Sequence, residues 1–305
     1  MKRPSEILSR EERQQLTEKS DLWAWWLVLS SWALVFGLLA IAGFYPSIFT
    51  IVLVLLVLPG RQLSLSVLMH EAGHNTLFKT ERLNRWVGQW LCALPTFGDL
   101  KSYADGHLEH HRKAGTHEDP DLPNYAAYPI SRRSFRRKVI RDLTGQTGFK
   151  LLAGIFAGAS GIVGEGQRSG PSILIKQVGV QLALFAVLSL MGIGWTWLLW
   201  FATFVTTHMF VIRFRQVAEH AAVPDLYDLD PRLNTRTVDA PGWQRFLIAP
   251  NFVNFHMEHH FMAGVPCYRL PRLRALLRER GFLDQVEDFS SYGQVLRSAL
   301  RSAAA

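Results

Sequence analysis

Residues 23–60 read WAWWLVLSSWALVFGLLAIAGFYPSIFTIVLVLLVLPG, without a single charged side chain. A helix needs ~20 residues to cross a bilayer, so this block is too long for one span and suits two joined by a tight turn. Gly43 to Pro46 supplies the turn chemistry. Residues 177–212 repeat the pattern, with His208 taken as neutral and a turn from Gly192 to Gly194. The sequence therefore predicts an all-α integral membrane protein with two transmembrane helical hairpins. Its four spans fall at about 23–43, 47–69, 173–191 and 196–219. A buried core hairpin in a soluble protein is the alternative, but core helices rarely stay charge-free this long.

The basic residues predict the orientation. The turns at 43–46 and 192–195 contain no Lys or Arg, whereas the first 20 residues, the 61–171 segment and the C-terminal third are rich in both. Positive loops stay in the cytoplasm. Both termini, a loop at about 77–171 and the region at about 220–305 are thus expected on the cytoplasmic side, residues 1–305 forming a single domain. The net charge of +8 reads as topology and attraction to anionic headgroups, not as nucleic-acid binding. The run Arg132, Arg133, Arg136, Arg137, Lys138 and Arg141 is either a membrane-hugging patch or a solvated helix face. No apolar stretch precedes Trp23, so no cleavable signal peptide is expected. Cys92 and Cys267 are too few for an iron–sulfur cluster and read as packing residues.

Several local expectations follow. The second span should continue as helix to about residue 76, lifting His70 and His74 clear of the hydrocarbon. Residues 86–98 are apolar but too short to span, and residues 151–164 read either as a packed helix or as a re-entrant piece. From residue 268 onward, Arg- and Leu-rich helices suggest a tail on the membrane surface.

Eight of the eleven histidines fall in three clusters: His70-Glu-Ala-Gly-His74, His107-Leu-Glu-His110-His111 and His256-Met-Glu-His259-His260. Residues three and four apart share a helix face, so each cluster aims two or three imidazoles the same way. Two HxxHH strings by chance have odds on the order of 1 in 10,000 at this abundance of histidine. The first cluster is also a literal HExxH, in which two histidines bind zinc and Glu71 acts as general base in a metalloprotease. That reading leaves six histidines unused. Eight imidazoles exceed the needs of one four-coordinate zinc and suit two ions with four or so ligands each. Iron is the natural choice for an imidazole-rich pair in a membrane oxidoreductase, selected by geometry and supply. A metal-binding membrane protein without catalytic activity is a further alternative.

The order HxxxH, HxxHH, HxxHH between two membrane hairpins resembles the membrane fatty acid desaturase family and its hydroxylase and carotenoid-oxygenase relatives. Gly60-Arg61-Gln62, Asp119-Pro120-Asp121-Leu122, Asn234-Thr235-Arg236-Thr237 and Val253-Asn254-Phe255 agree, and the likeness covers roughly residues 55–275. The resemblance implies that His70, His74, His107, His110, His111, His256, His259 and His260 ligate two iron ions in a cytoplasmic helical di-metal domain. It further implies a ninth ligand, His220, with the carboxamide of Gln216 one turn earlier. Glu71, Glu109, Glu258, Asp119 and Asp121 are candidates to accept the second N–H of a ligand histidine. Asn251 and Asn254 would support the third box or cap its helix. His117 reads as a loop residue. His208, inside the fourth span, either lines a substrate cavity or packs against a neighbouring helix.

The function implied is O2-dependent desaturation of a lipid acyl chain. Electrons would come from a separate ferredoxin-, rubredoxin- or cytochrome-type donor, since no haem appendage or cluster motif is present in the sequence. A hydroxylase or carotenoid ketolase on the same boxes is the nearest alternative.

Overall fold

The computed structural model describes residues 2–159 and 170–301; the end of the 151–164 expectation lies outside the described residues. Among the described residues the chain is helical, apart from a two-residue parallel pairing of Ile130–Ser131 with Leu300–Arg301. Four helical stretches are long and apolar enough to cross a bilayer: Arg10–Phe44, Ile48–Gly73, Pro171–Leu190 and Gly194–His220. In the first of these a short helix, Arg10–Thr17, precedes the apolar Asp21–Phe44. The Ser20 hydroxyl caps Asp21–Phe44 by accepting from the Trp23 N–H. Ser47 and Thr50 form a reciprocal cap at the start of the second span. The two hairpin turns pack together: a Cβ on Gly43 would lie 2.4 Å from Ile193 Cγ2, so only glycine allows this approach. Trp26, Leu29, Phe49, Leu56, Ile175, Leu182 and Leu198 remain exposed, as side chains facing lipid do.

The second span is the most enclosed of the four and carries the chain out of the membrane. His70 lies about 33 Å along it from Ile48 at 1.5 Å per residue, just past a hydrocarbon core of ~30 Å. The helix stops at Gly73, short of the expected residue 76. Asn75 adopts the left-handed conformation (φ 59°), and the N–H groups of Thr76 and Asn75 turn back to the carbonyls of Glu71 and Ala72. This is a Schellman closure, so His74 sits on the cap and not within the helix.

Gly60-Arg61-Gln62 joins three parts of the molecule. The short helix Gly242–Ile248 lies so close to the second span that a Cβ on Gly60 would stand 2.5 Å from the Leu247 carbonyl oxygen. Arg61, 6 % exposed, donates to the Phe246 carbonyl at the end of that helix and stacks 4.2 Å above the Phe246 ring. Gln62 donates to the Trp200 carbonyl of the fourth span (2.8 Å). The guanidinium thus caps the C-terminal end of that short helix through one of its arms.

The C-terminal region departs from the expected membrane-surface tail. Helix Leu270–Glu279 turns Leu270, Leu273, Leu276 and Leu277 inward, against Phe255, Met257 and Phe261 of the third box and Leu16 of the N-terminal helix. Its apolar stripe is consumed by the protein and leaves nothing for lipid. Ion pairs Arg280–Glu12 (2.9 Å) and Arg269–Glu18 (3.2 Å) tie the two ends of the chain together. Residues 86–98 pack on the second span, burying Cys92, Ala93 and Leu94 in a compact turn run and exposing Trp86. Cys92 and Cys267 are both free and buried in one apolar cluster.

Candidate metal centre

Three boxes and the end of the fourth span converge. His70 ends the second span with His74 on its cap; His107, His110 and His111 lie on helix Leu100–Lys113; His256, His259 and His260 lie on helix His256–Phe261. His220 is the last residue of its helix. These nine histidines form two groups. His70, His74, His107, His111 and His259 make one; His110, His220, His256 and His260 make the other. Within each, one nitrogen from every ring lies within 4.8 Å of the rest.

The HxxHH strings therefore do not aim all their rings one way. In the second box the i,i+4 pair, His107 and His111, serves the five-histidine group while His110 crosses to the other. In the third box the assignment is reversed: His256 and His260 serve the four-histidine group and His259 crosses. The i and i+4 positions are 40° apart around a helix, and i+3 falls on the far side of i, 100° from i+4. Two such helices set side by side can thus share two centres.

The donor set fits metal ions. Metal–imidazole bonds run ~2.0–2.1 Å, so nitrogens this close to one another can share one ion. His111 Nε2 lies 3.0 Å from His107 Nε2 and 2.9 Å from His259 Nε2, and His256 Nε2 lies 2.8 Å from His220 Nε2. His74 Nε2 and His260 Nε2 are buried with no hydrogen-bond partner. Buried polar atoms left open in this way call for a bound group. Burial, reinforced by His70 and His111, drives the His74 pKa down to about 2, and burial with His70 and His110 takes His111 to about 3. Burial likewise holds His107, His256, His259 and His260 well below the ordinary histidine value. Neutral imidazoles with free lone pairs are the form that ligates a cation.

Behind the rings stand hydrogen-bond acceptors. His70 Nδ1 meets Glu71 Oε1 at 3.2 Å, and His110 Nδ1 meets Asp119 Oδ1 at 2.7 Å. Asp119 is further held by the Tyr125 hydroxyl and the Asp121 N–H. His220 Nδ1 donates to the Asn234 carbonyl (3.1 Å), which leaves its Nε2 turned into the four-histidine group. Arg236 donates to the carbonyls of Ala218, Ala221 and Ala222, capping the helix that ends in His220.

Three of the expected acceptors stand elsewhere. Glu109 pairs with Arg112 on the surface. Glu258 is fully buried but is taken by Arg274 (2.6 Å) and the Thr237 hydroxyl, which anchor the third box to helix Leu270–Glu279. Asp121 lies 3.9 Å from His110 Nδ1, with its side chain half exposed. Asn251 donates to Ser64, and Asn254 to the Val238 carbonyl; neither caps the third-box helix. Gln216, half-buried one turn before His220, forms no side-chain hydrogen bond among the described residues. His117 is exposed and stacks on Tyr227, 4.1 Å between ring centres. His208 is fixed by the Pro59 carbonyl (3.2 Å) and stacked on Phe204, as a packing residue would be. The sequence reading missed Glu219, whose Oε1 lies 3.6 Å from His256 Nδ1. Its place beside His220 was the available signal.

Glu71 decides against the protease reading. Its carboxylate receives Thr76 Oγ1 and the Cys267 N–H, both at 2.9 Å, as well as His70. These fixed donors assign Glu71 to orienting His70, and His70 and His74 share their group with His107, His111 and His259, more ligands than a single-zinc HExxH site uses.

Two spaces accompany the site. A narrow gap lined by His70, Glu71, His256, His259 and Asn251 is about 10 Å³, roughly one water. An apolar cleft of about 720 Å³ lies between helix Gln146–Ala159 and the second hairpin, lined by Phe97, Leu152, Leu182, Phe185 and Phe201 among others, and touches none of the nine histidines.

Residues 46–286 match the family described as fatty acid desaturase. The chain belongs to the fatty acid desaturase family. The chain is similar to a dihydrorhizobitoxine desaturase of Bradyrhizobium elkanii, 25% identical over 236 residues (73% of this chain, 66% of that protein). A sphingolipid delta(4)-desaturase DES1-like protein of Oryza sativa subsp. japonica is 25% identical over 240 residues (76% and 65%). An sn-1 oleoyl-lipid 12-desaturase of Picosynechococcus sp. is 26% identical over 285 residues (86% and 78%). The match spans just under two thirds of the length of the first two relatives. The desaturase match takes in all nine clustered histidines, so this is a desaturase-family enzyme with a histidine-rich di-metal site.

Proposed function

We propose that this enzyme introduces a double bond into a lipid acyl chain, consuming O2 and two electrons, at a pair of iron ions. The observation that carries the reading is the division of nine histidines into groups of five and four around two adjacent centres. In the balance, a CH2–CH2 unit, O2, two electrons and two protons give CH=CH and two waters. Iron held by these histidines would supply the chemistry of O2 activation and C–H oxidation. The chain's own residues bind and orient: the nine histidines offer ring nitrogens in two groups, and Glu71, Asp119 and the Asn234 carbonyl fix the rings they meet. Gln216 is assigned to hold a water beside the ion at His220.

The relatives' names span dihydrorhizobitoxine, a sphingolipid and an oleoyl lipid; the four apolar helices favour a bilayer-borne substrate. We place residues 1–305 in one domain, with the metal end and both termini in the cytoplasm, where a ferredoxin-, rubredoxin- or cytochrome-type donor delivers electrons. The Lys/Arg asymmetry supports this orientation.

The test is reconstitution in lipid with ferrous iron, O2 and a chemical or protein reductant, followed by product mass. Loss of two hydrogens, absent without O2, is the expected result. Gain of one oxygen atom would assign the hydroxylase or ketolase reaction instead. A single zinc, retained in His110→Ala and His259→Ala, would overturn the di-iron reading.

A further inference from the structure

Glu219 stands one residue before His220 and belongs to none of the strings that carry the family resemblance. Its carboxylate is 6 % exposed. One oxygen, Oε2, lies 3.3 Å from the Arg215 guanidinium one turn earlier on the same helix. The other, Oε1, has no hydrogen-bond partner and lies 3.6 Å from His256 Nδ1. His256 Nε2 faces the opposite way, 2.8 Å from His220 Nε2 in the four-histidine group.

An imidazole that ligates through Nε2 carries its proton on Nδ1 and needs an acceptor there. Three rings of this group can be compared. His110 has Asp119 behind it, and His220 has the Asn234 carbonyl. For His256, Glu219 is the one carboxylate within ion-pair range among the described residues. Arg215 holds that carboxylate against the helix and balances its charge, which makes burial of the pair tolerable.

We propose that Glu219, held by Arg215, is a positioning residue: it accepts the Nδ1–H of His256 and so turns Nε2 toward the ion of the four-histidine group. The inference rests on the two-ion reading above. It predicts a selective effect, since Glu219 backs no member of the five-histidine group.

The test uses the full chain in detergent, titrated anaerobically with cobalt(II), with metal per chain and the visible ligand-field bands as readouts. The parent is expected to bind two ions. Glu219→Ala should keep one ion at parental affinity and hold the other about 10–100-fold more weakly, the usual cost of losing such a partner. Glu219→Gln keeps an acceptor oxygen without the charge. It should retain both ions while the bands of only one shift. Parental affinity for both ions in Glu219→Ala, or a parental spectrum in Glu219→Gln, would overturn the proposal. Should Glu219→Ala not fold, the Glu219→Gln spectrum alone decides. A parent binding fewer than two ions would instead remove the two-ion reading and this inference with it.

Discussion

The five-histidine and four-histidine groups draw on the same two HxxHH strings, yet they stand on different supports. Among the described residues the larger group has one carboxylate behind it, Glu71 on His70, and His259 Nδ1 is buried without a hydrogen-bond partner. The smaller has Asp119 behind His110, Glu219 beside His256 and a carbonyl behind His220. Ligand number and anionic backing therefore run in opposite directions. A carboxylate behind an imidazole raises its basicity, and nearby negative charge favours the more positive state of a bound ion. The difference teaches that two centres built from one motif need not be equivalent.

The sharpest way to break the comparison is to remove one ligand from each side. His259→Ala and His110→Ala should each abolish turnover and cost the ion of one group, read as metal per chain. Loss of both ions from either variant would mean that the groups do not bind separately. Next come the acceptors. Asp119→Asn should weaken the four-histidine ion about 10–100-fold, and Glu71→Gln the five-histidine ion by a similar factor, measured by chelator competition. Equal weakening of both ions in both variants would erase the distinction drawn between the groups.

The third box is shared by the groups, so its anchor should affect both equally. Glu258→Ala takes the acceptor from one arm of Arg274 and from the Thr237 hydroxyl, leaving Arg274 paired with Asp239 and Asp288, and should cost about 1.5–3 kcal/mol of stability, read as a lower Tm. Gly60→Ala drives a methyl group into the Leu247 carbonyl and should cost about 1–3 kcal/mol with metal content unchanged. Glu109→Gln marks the lower bound. Its surface pair with Arg112 should contribute less than ~1 kcal/mol, although Glu109 and Glu258 occupy the same place in their boxes.

That last pair shows where legibility ends. The four apolar stretches and the three boxes could be read from residue type and spacing, because charge-free length and helical periodicity are local properties; the ninth histidine, His220, was implied only by the family resemblance. Glu109 and Glu258 looked equivalent by spacing, and only the packing of helix Leu270–Glu279 on the third box separates them. Glu219 had only its place beside His220 as a signal, because the ring it faces, His256, lies 36 residues beyond His220. The stop at Gly73 depends on one left-handed residue, Asn75, a conformation that neighbouring residues select.

The sequence by itself determined that this chain is a helical membrane protein bearing histidines in numbers suited to two metal ions. Hydrophobic length and ligand chemistry need no partner to be recognised. The tertiary structure decided which histidines face each other, which carboxylates stand behind them, and that Glu71 is a fixed acceptor with no role as a base. Those outcomes depend on how helices distant in sequence pack, and a helix face has no assignment until another helix is set against it.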